Sequence, residues 1–245
     1  FRSGDIQVQA LAPSGYRFAG WSNSMADYKS VFGTGATWNY YCGGSLDGTS
    51  WKSDMSSYAS GAAPLGYGKT GINTTLTSRL PTYYVGRTFT LTEEMLQNDL
   101  LLDYTIDDGF IVYVNGVVAG RYNMPTGTVT YSTVSTTYAN GNPDTGSMTL
   151  NKSLFLEGEN TICVEIHNNS TTSSDIYWDA SLSYMPAVET GNYVSTDSIL
   201  TLGSSAMSLT ACFEPLSTDA QRIAEHALPI RVNEVGAAND VFVNE

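Results

Sequence analysis

Histidine is the side chain most often used as a general base near neutral pH, and the sequence contains two of them. His167 follows Glu165 by two positions and precedes Asp175, so a hydrolytic pairing with either carboxylate can be drawn. No Gly-x-Ser-x-Gly nucleophile motif accompanies it. A histidine at a strand end is more often held by neighbouring loops than used as a base. The sequence therefore favours a small hydrolase that uses His167 less than any other function.

Two adjacent carboxylates, Asp107 and Asp108, are the second group with chemical potential. Successive side chains of a strand point to opposite faces, so we do not expect this pair to act as general acid and base. One carboxylate could instead bind a structural Ca²⁺ together with backbone carbonyl groups. The alternative is a turn in which the carboxylates cap backbone amides. The lack of an alternating Asp/Asn ligand series favours the turn.

The segment Gly68-Lys69-Thr70 resembles the end of a phosphate-binding loop. The complete motif requires a glycine five positions earlier, where this sequence has Ala63. We therefore exclude nucleotide binding at this segment.

Composition excludes several classes of partner. The net charge is −13, which disfavours nucleic acid and anionic lipid as primary ligands. No apolar stretch is long enough for a transmembrane helix, so we expect no membrane insertion by this segment. Three widely spaced cysteines without a Cys-x-x-Cys pair argue against a disulfide framework or a zinc site. The chain begins at Phe1 without a signal peptide, and we expect it to be a fragment of a longer protein.

Alternating apolar and polar residues predict an all-β protein. Asn115-Gly116 lies between two β-rich runs, residues 110–114 and 117–121, and predicts a hairpin with a type I′ turn. Residues 161–167 and 176–184 predict two further strands, each with one apolar face directed at the core. Many short strands at this spacing indicate a sandwich or a barrel.

Nine short segments occur in an order typical of one known family. They are residues 38–40, 48–51, 63–68, 83–89, 107–109, 112–116, 123–125, 160–167 and 173–176. Together they resemble a galactose-binding-like jelly roll of large bacterial surface proteins, over about residues 37–184. The resemblance implies a jelly-roll β-sandwich similar to the sugar-binding, non-catalytic domains that accompany many glycosidases. Cys163 departs from the family pattern, which usually has a small apolar residue there.

The flanks resemble other modules. Residues 7–21 look like the first half of an internalin-type B repeat, and residues 194–213 look like its second half. We therefore predict a jelly roll inserted into one small β unit, with two unrelated linker strands as the alternative. Residues 230–239 resemble the opening strand of a bacterial lamin-tail domain, which often accompanies a spore-coat-H-like kinase domain. The expected boundaries are 1–36 and 187–215 for the two halves of the unit, 37–186 for the jelly roll, and 216–245 for a linker and truncated lamin-tail-like start.

The family analogy places ligands at loops along one end of the sandwich, where an aromatic ring and planar polar groups can grip a sugar. Two clusters of such residues form the candidate ligand site: Arg121, Tyr122 and Asn123, and His167, Asn168, Ser173, Ser174 and Asp175. We accordingly expect a non-enzymatic, carbohydrate-binding module of a multidomain bacterial protein, secreted or at the cell surface. Other domains of the same polypeptide are expected partners, and no cofactor is required beyond the possible calcium at Asp107 and Asp108. The alternative is a structural spacer or adhesion domain without a small-molecule ligand.

Overall fold

The computed structural model describes residues 6–22, 28–77, 79–137, 141–186, 193–202 and 209–216. The chain divides into two compact units. The sandwich unit comprises Asp27–Ala187, and the flanking unit comprises Phe1–Ala26 together with Val188–Glu245. Each unit is considered by itself.

The sandwich unit is built from strands and two short 3₁₀ segments. The strands are β3 (Lys29–Phe32), β4 (Thr37–Tyr41), β5 (Ala59–Ala62), β6 (Leu65–Tyr67), β7 (Thr74–Thr75), β8 (Thr82–Leu91), β9 (Leu100–Asp107), β10 (Gly109–Val114), β11 (Val117–Tyr122), β12 (Asp144–Leu150), β13 (Gly158–His167) and β14 (Ile176–Tyr184). The 3₁₀ segments are Glu93–Leu96 and Lys152–Leu154. The all-β fold predicted from the alternating pattern is confirmed.

Two sheets face each other across the core. Sheet I has the order β11-β10-β13-β8-β4-β5, and sheet II has the order β12-β9-β14-β6-β7, with β3 also paired to β14. Strand β14 directs its alternate apolar residues inward, as predicted, and Trp178 is completely buried at the centre. Its ring packs edge to face against Trp38 of β4 and Phe110 of β10, which ties the two sheets together.

The predicted hairpin between residues 110 and 121 is confirmed. Strands β10 and β11 pair antiparallel, with Val114 opposite Val117. Asn115 has φ 49° and Gly116 has φ 84°, the left-handed conformation that both turn positions require. The Asn115 side chain also donates to the Leu154 carbonyl oxygen and accepts from the Thr161 N–H, so it links the turn to β13.

Strand β13 is buried on both faces. Ile162, Val164 and Ile166 lie in the main core, as predicted. Cys163, Glu165 and His167 point to the other side of sheet I, yet they are also buried. A second apolar cluster lies on that side of the sheet. In it the strand residues Tyr84, Ile111, Tyr113 and Cys163 are covered by loop residues that precede β5 or follow β11: Leu46, Trp51, Met55, Met124, Val129 and Tyr131.

The flanking unit contains four strands: β1 (Ile6–Gln9), β2 (Tyr16–Ser22), β15 (Ile199–Leu202) and β16 (Thr210–Pro215). Strand β1 pairs antiparallel with β15, and β2 pairs with β16. Strands before the sandwich therefore hydrogen-bond to strands after it. Phe18 packs edge to face against both Trp21 and Phe213. The lamin-tail-like segment predicted at residues 230–239 lies outside the described residues.

Strand β3 belongs to the sandwich unit, because Phe32 pairs with Leu182 of β14 and packs on Trp38 in the core. The sandwich thus begins before residue 37, where the family resemblance starts. The motifs of that resemblance do not include residues 29–32, so it could not reveal this strand.

Candidate functional site

A lysine surrounded by carboxylates lies where β6, β9 and β14 meet at one end of sheet II. The Lys69 Nζ is 2.9 Å from Asp107 Oδ2 and 2.7 Å from Asp175 Oδ2. It also donates to the Gly141 carbonyl oxygen at 3.1 Å. An ammonium group has three N–H donors, so these contacts use all of them. Lys69 is therefore a fixed structural cation whose ammonium has no donor left for a ligand.

Two glycines allow the chain to bring Lys69 to this position. A Cβ at Gly66 would lie 2.1 Å from the Ile176 carbonyl oxygen, and one at Gly68 would lie 2.3 Å from the Ser174 carbonyl oxygen. Gly68 also has φ +73°, which residues with side chains rarely adopt. The close approach of β6 to β14 thus depends on glycine at both positions.

Asp107 and Asp108 are both almost completely buried beside Lys69. Burial and, after it, a hydrogen bond with the Asp108 carboxyl raise the pKa of Asp107, Lys69 opposes both effects, and the resulting pKa is about 7. Asp108 Oδ2 accepts the Asn169 N–H at 2.7 Å. The two carboxyls therefore contact each other, contrary to the expectation from strand alternation. Strand β9 ends at Asp107 and β10 begins at Gly109, so Asp108 lies between strands, where alternation does not apply.

The calcium predicted at Asp107 and Asp108 does not fit these residues as they are arranged. The Lys69 ammonium already neutralises Asp107, and the Asp108 carboxylate accepts a backbone amide, as in the turn that was the alternative. Within the described residues, no three His, Cys, Asp or Glu side chains are grouped as metal ligands.

A polar groove of about 410 Å³ opens beside this cluster and is called groove A. It is lined by Gly68, Lys69, Thr70, Thr105, Gly141, Asn142, Pro143 and Tyr177. Tyr177 is half-buried in its wall, while Thr70 and Asn142 are exposed. Burial, followed by the charge of Asp179, raises the pKa of the Tyr177 hydroxyl, which is therefore a neutral hydrogen-bonding group at ordinary pH. Groove A thus offers an aromatic ring, hydroxyls and an amide to a ligand.

A second groove of about 310 Å³ lies on the outer face of sheet II and is called groove B. Its lining is Thr34, Asp103, Tyr104, Thr105, Thr145, Gly146, Ser147, Asp179 and Ala180. Asp179 Oδ1 accepts the N–H groups of Gly35 and Ala180 at 3.0 and 2.9 Å. Burial raises the pKa of Asp179, and these two hydrogen bonds oppose that rise. Asp103 accepts a short hydrogen bond from the Ser147 hydroxyl.

The first predicted ligand cluster is engaged in holding its own loop. Arg121 Nη1 donates to the carbonyl oxygens of Pro125 and Gly127, each at 3.0 Å. The Tyr122 hydroxyl donates to Asp144 Oδ2 at 2.9 Å. The Asn123 side chain donates to the Asp108 and Thr137 carbonyl oxygens and accepts from three groups of residues 136 and 137. Arg121, Tyr122 and Asn123 are thus held within the fold and do not line either groove.

His167 and Asn168 of the second predicted cluster are completely buried. His167 Nδ1 donates to the Thr133 carbonyl oxygen at 2.8 Å, and Nε2 lies 3.5 Å from Glu165 Oε2. Asn168 Nδ2 donates to the Leu80 carbonyl oxygen at 2.7 Å. Both side chains therefore connect sheet I to the loops that cover it, and a substrate has no access to His167.

The remaining members of that cluster, Ser173, Ser174 and Asp175, lie beside groove A. Both serine hydroxyls are 3.4 Å from Asp175 Oδ1, while Asp175 Oδ2 pairs with Lys69. The Ser173 carbonyl oxygen accepts the Tyr67 hydroxyl at 3.0 Å. The structure thus joins Asp175 to Asp107 through Lys69, whose sequence context resembles only the end of a phosphate-binding loop.

The chain is similar to several solved structures of glycosidases. No family model matches the chain, and no curated protein matches it. Among solved structures, it is similar to a β-glucuronidase from Ruminococcus gnavus (12% identity, TM-score 0.44, 73% of this chain and 31% of that one) and to one from an uncultured Clostridium species (13%, 0.44, 74% and 31%). A β-D-mannosidase from Dictyoglomus thermophilum is also similar (13%, 0.34, 58% and 16%). The chain spans less than a third of the length of these enzymes.

This comparison contradicts the prediction that the chain is not an enzyme, because the similar chains are glycosidases. The prediction was based on missing serine and histidine motifs. Glycosidases use pairs of Asp or Glu residues that have no fixed spacing in the sequence. The absence of a serine or histidine motif therefore gives no information on glycosidase activity. None of the helical segments described here is long and apolar enough to cross a membrane.

Proposed function

We propose that this chain is a carbohydrate-binding β-sandwich of a multidomain bacterial protein, secreted or at the cell surface, and that groove A holds the sugar. The observation that carries the proposal is the half-buried ring of Tyr177 in a groove that also presents the exposed polar side chains of Thr70 and Asn142. Sugars are recognised by an aromatic surface for the apolar ring face and by polar groups for the hydroxyls. The galactose-binding-like resemblance of the sequence supports the same ligand class.

The lysine and carboxylate cluster supports the proposal by making one wall of groove A rigid. Lys69 is held by three acceptors, and each of Asp107 and Asp175 is held by Lys69. A binding wall fixed by its own hydrogen bonds loses little conformational entropy when the ligand arrives. Asp175 remains partly exposed, with 29% of its side chain accessible, and can accept a sugar hydroxyl.

Titration calorimetry with a panel of neutral and acidic oligosaccharides tests the proposal. Replacing Tyr177 with alanine is expected to weaken binding about fivefold, since a stacked aromatic ring contributes about 1 kcal/mol. The matched control is Tyr28→Ala, which removes an exposed tyrosine of the same unit that lies outside both grooves. Absence of binding across the panel would overturn the proposal and favour a spacer or adhesion domain. An equal loss in both variants would exclude groove A as the site.

A further inference from the structure

Grooves A and B adjoin at Thr105, which is a lining residue of both. Thr105 lies on β9, opposite Thr145 of β12 on one side and Asp179 of β14 on the other. Alternate residues of β9 face the core, so Asp103, Thr105 and Asp107 share the outer face of sheet II. Four residue steps along a strand span roughly 13 Å. The polar surface therefore runs from the Lys69 cluster across three strands.

The charges differ between the two grooves. In groove A, Lys69 compensates the nearby carboxylates. In groove B, neither Asp103 nor Asp179 forms an ion pair with any lysine or arginine in the described part of the chain; their hydrogen-bond donors are a serine hydroxyl and backbone amides. A carboxylate has about four acceptor positions, so both retain capacity for further donors. Groove B is thus an acceptor-rich, negatively charged surface.

From this shared boundary and the difference in charge we infer that groove B is a second subsite of the same ligand, which is an extended oligosaccharide bearing hydroxyl donors and no carboxylates. This inference rests on the proposed function of groove A. Sugar hydroxyls would donate to Asp103 and Asp179, forming charge-assisted hydrogen bonds that are stronger than neutral ones. A uronic acid unit would instead bring a second negative charge against these carboxylates and be repelled.

Chain length is the first test. Calorimetry would use neutral gluco- and manno-oligosaccharides from the monosaccharide to the hexasaccharide, together with oligogalacturonates of matched length. Affinity for one neutral series is expected to rise by about tenfold or more once the chain is long enough to enter groove B, because additional hydrogen bonds to charged groups form there. Galacturonates of the same length are expected to bind at least tenfold more weakly.

Substitution at groove B is the second test. Asp103→Asn preserves the size of the side chain and removes its charge. It is expected to weaken the binding of long neutral chains about tenfold, to leave short chains unaffected, and to reduce discrimination against galacturonates. The control is Glu159→Gln, the same change of charge at an exposed position of sheet I, which should alter neither property.

The outcomes separate this inference from the proposed function. If mono- and hexasaccharides bind equally and Asp103→Asn behaves as the control does, groove B is not a subsite while groove A still binds sugar. If galacturonates bind as well as neutral chains of equal length, the assigned ligand chemistry is wrong. If no oligosaccharide binds, the proposed function fails, and the inference fails with it.

Discussion

The Lys69 ammonium lies 2.9 Å from Asp107 Oδ2, although Lys69 follows β6 and Asp107 ends β9, two strands that are not neighbours in sheet II. Strand β14 separates β6 from β9, and Lys69 reaches past its first residue to make the contact. Only 11% of the Lys69 side chain and 3% of the Asp107 side chain are accessible. The pair therefore connects two strands at the end of the sheet, close to where groove A begins.

Removing the cation is expected to destabilise the sandwich. Lys69→Met should lower the free energy of unfolding by about 3 kcal/mol, because loss of one partner leaves a buried carboxylate without compensation. The double variant Lys69→Met/Asp107→Asn should recover part of that loss. The control is Lys29→Met, since the Lys29–Glu94 pair is exposed and 4.0 Å long and should contribute below about 1 kcal/mol. Urea unfolding measures all three, and equal losses at positions 69 and 29 would contradict the expectation.

Stability should depend on pH through Asp107. Its pKa is about 7 in the folded protein, chiefly because of burial, against 3.8 for an unperturbed aspartate. Between these two pKa values, the Asp107 carboxyl keeps its proton in the folded protein and has released it in the unfolded chain. The resulting stabilisation is complete below the unfolded pKa and is lost as the pH rises through the folded pKa. The free energy of unfolding of the wild type minus that of Asp107→Asn should therefore decrease as the pH rises from about 4 to about 7, and it should be constant at higher pH. A difference that rises over this range would contradict the assignment.

Gly68 and Gly71 offer a matched pair for testing the position of Lys69. Both have positive φ, +73° and +78°, so alanine is strained at either position by about 1 kcal/mol. A Cβ at Gly71 meets nothing within 4 Å, whereas one at Gly68 would lie 2.3 Å from the Ser174 carbonyl oxygen. Gly68→Ala should therefore cost clearly more stability than Gly71→Ala and should also weaken sugar binding. Thermal unfolding and calorimetry of the two variants provide the comparison, and equal effects would refute the close contact.

His167 is expected to contribute to stability and not to catalysis. It is completely buried, and its Nδ1 bonds to the Thr133 carbonyl oxygen and lies 3.0 Å from the Thr82 hydroxyl. His167→Ala should lower the free energy of unfolding by about 2–3 kcal/mol, since it leaves buried polar groups unpaired and a cavity behind. Glu159→Ala, at the exposed start of the same strand, should change it by less than about 0.5 kcal/mol. Sugar binding by the folded fraction should persist, and its loss in His167→Ala alone would show that this side chain has a direct role.

Much of the sandwich could be predicted from local patterns. Asn115-Gly116 encodes its turn directly, because both residues tolerate positive φ, and the alternation in β14 identifies its core face without knowledge of any partner strand. Burial of Glu165 and His167 could not be predicted in the same way. It depends on loops that are distant in the sequence: one contains Trp51 and Met55, which pack over Tyr113, the hydrogen-bond donor to Glu165, and another contains Thr133, whose carbonyl oxygen bonds to His167. Periodicity reports which residues share a face of a strand, and it does not report what lies over that face.

The candidate site was harder to predict because its parts come from separate strands. Asp107 and Asp175 were both singled out by sequence, but the cation between them was not, since Lys69 was compared only with a nucleotide-binding motif. Asp103 and Asp179 carry no local signal at all. They come together with Thr105 through the register of three strands, which is determined by the whole sheet.

The pairing of β1 with β15 has a consequence for the order of events during synthesis. Ile6 pairs with Leu202 and Gln9 with Ile199, so β1 has no partner strand until the ribosome has synthesised the entire sandwich unit. Contacts this distant in sequence carry a large entropic cost of loop closure. Prior folding of the sandwich lowers that cost, because fewer flexible residues then remain between the two strands. The strand pairs of the flanking unit can thus form only after every strand of the sandwich unit has been synthesised, because β15 and β16 follow all of them in the sequence.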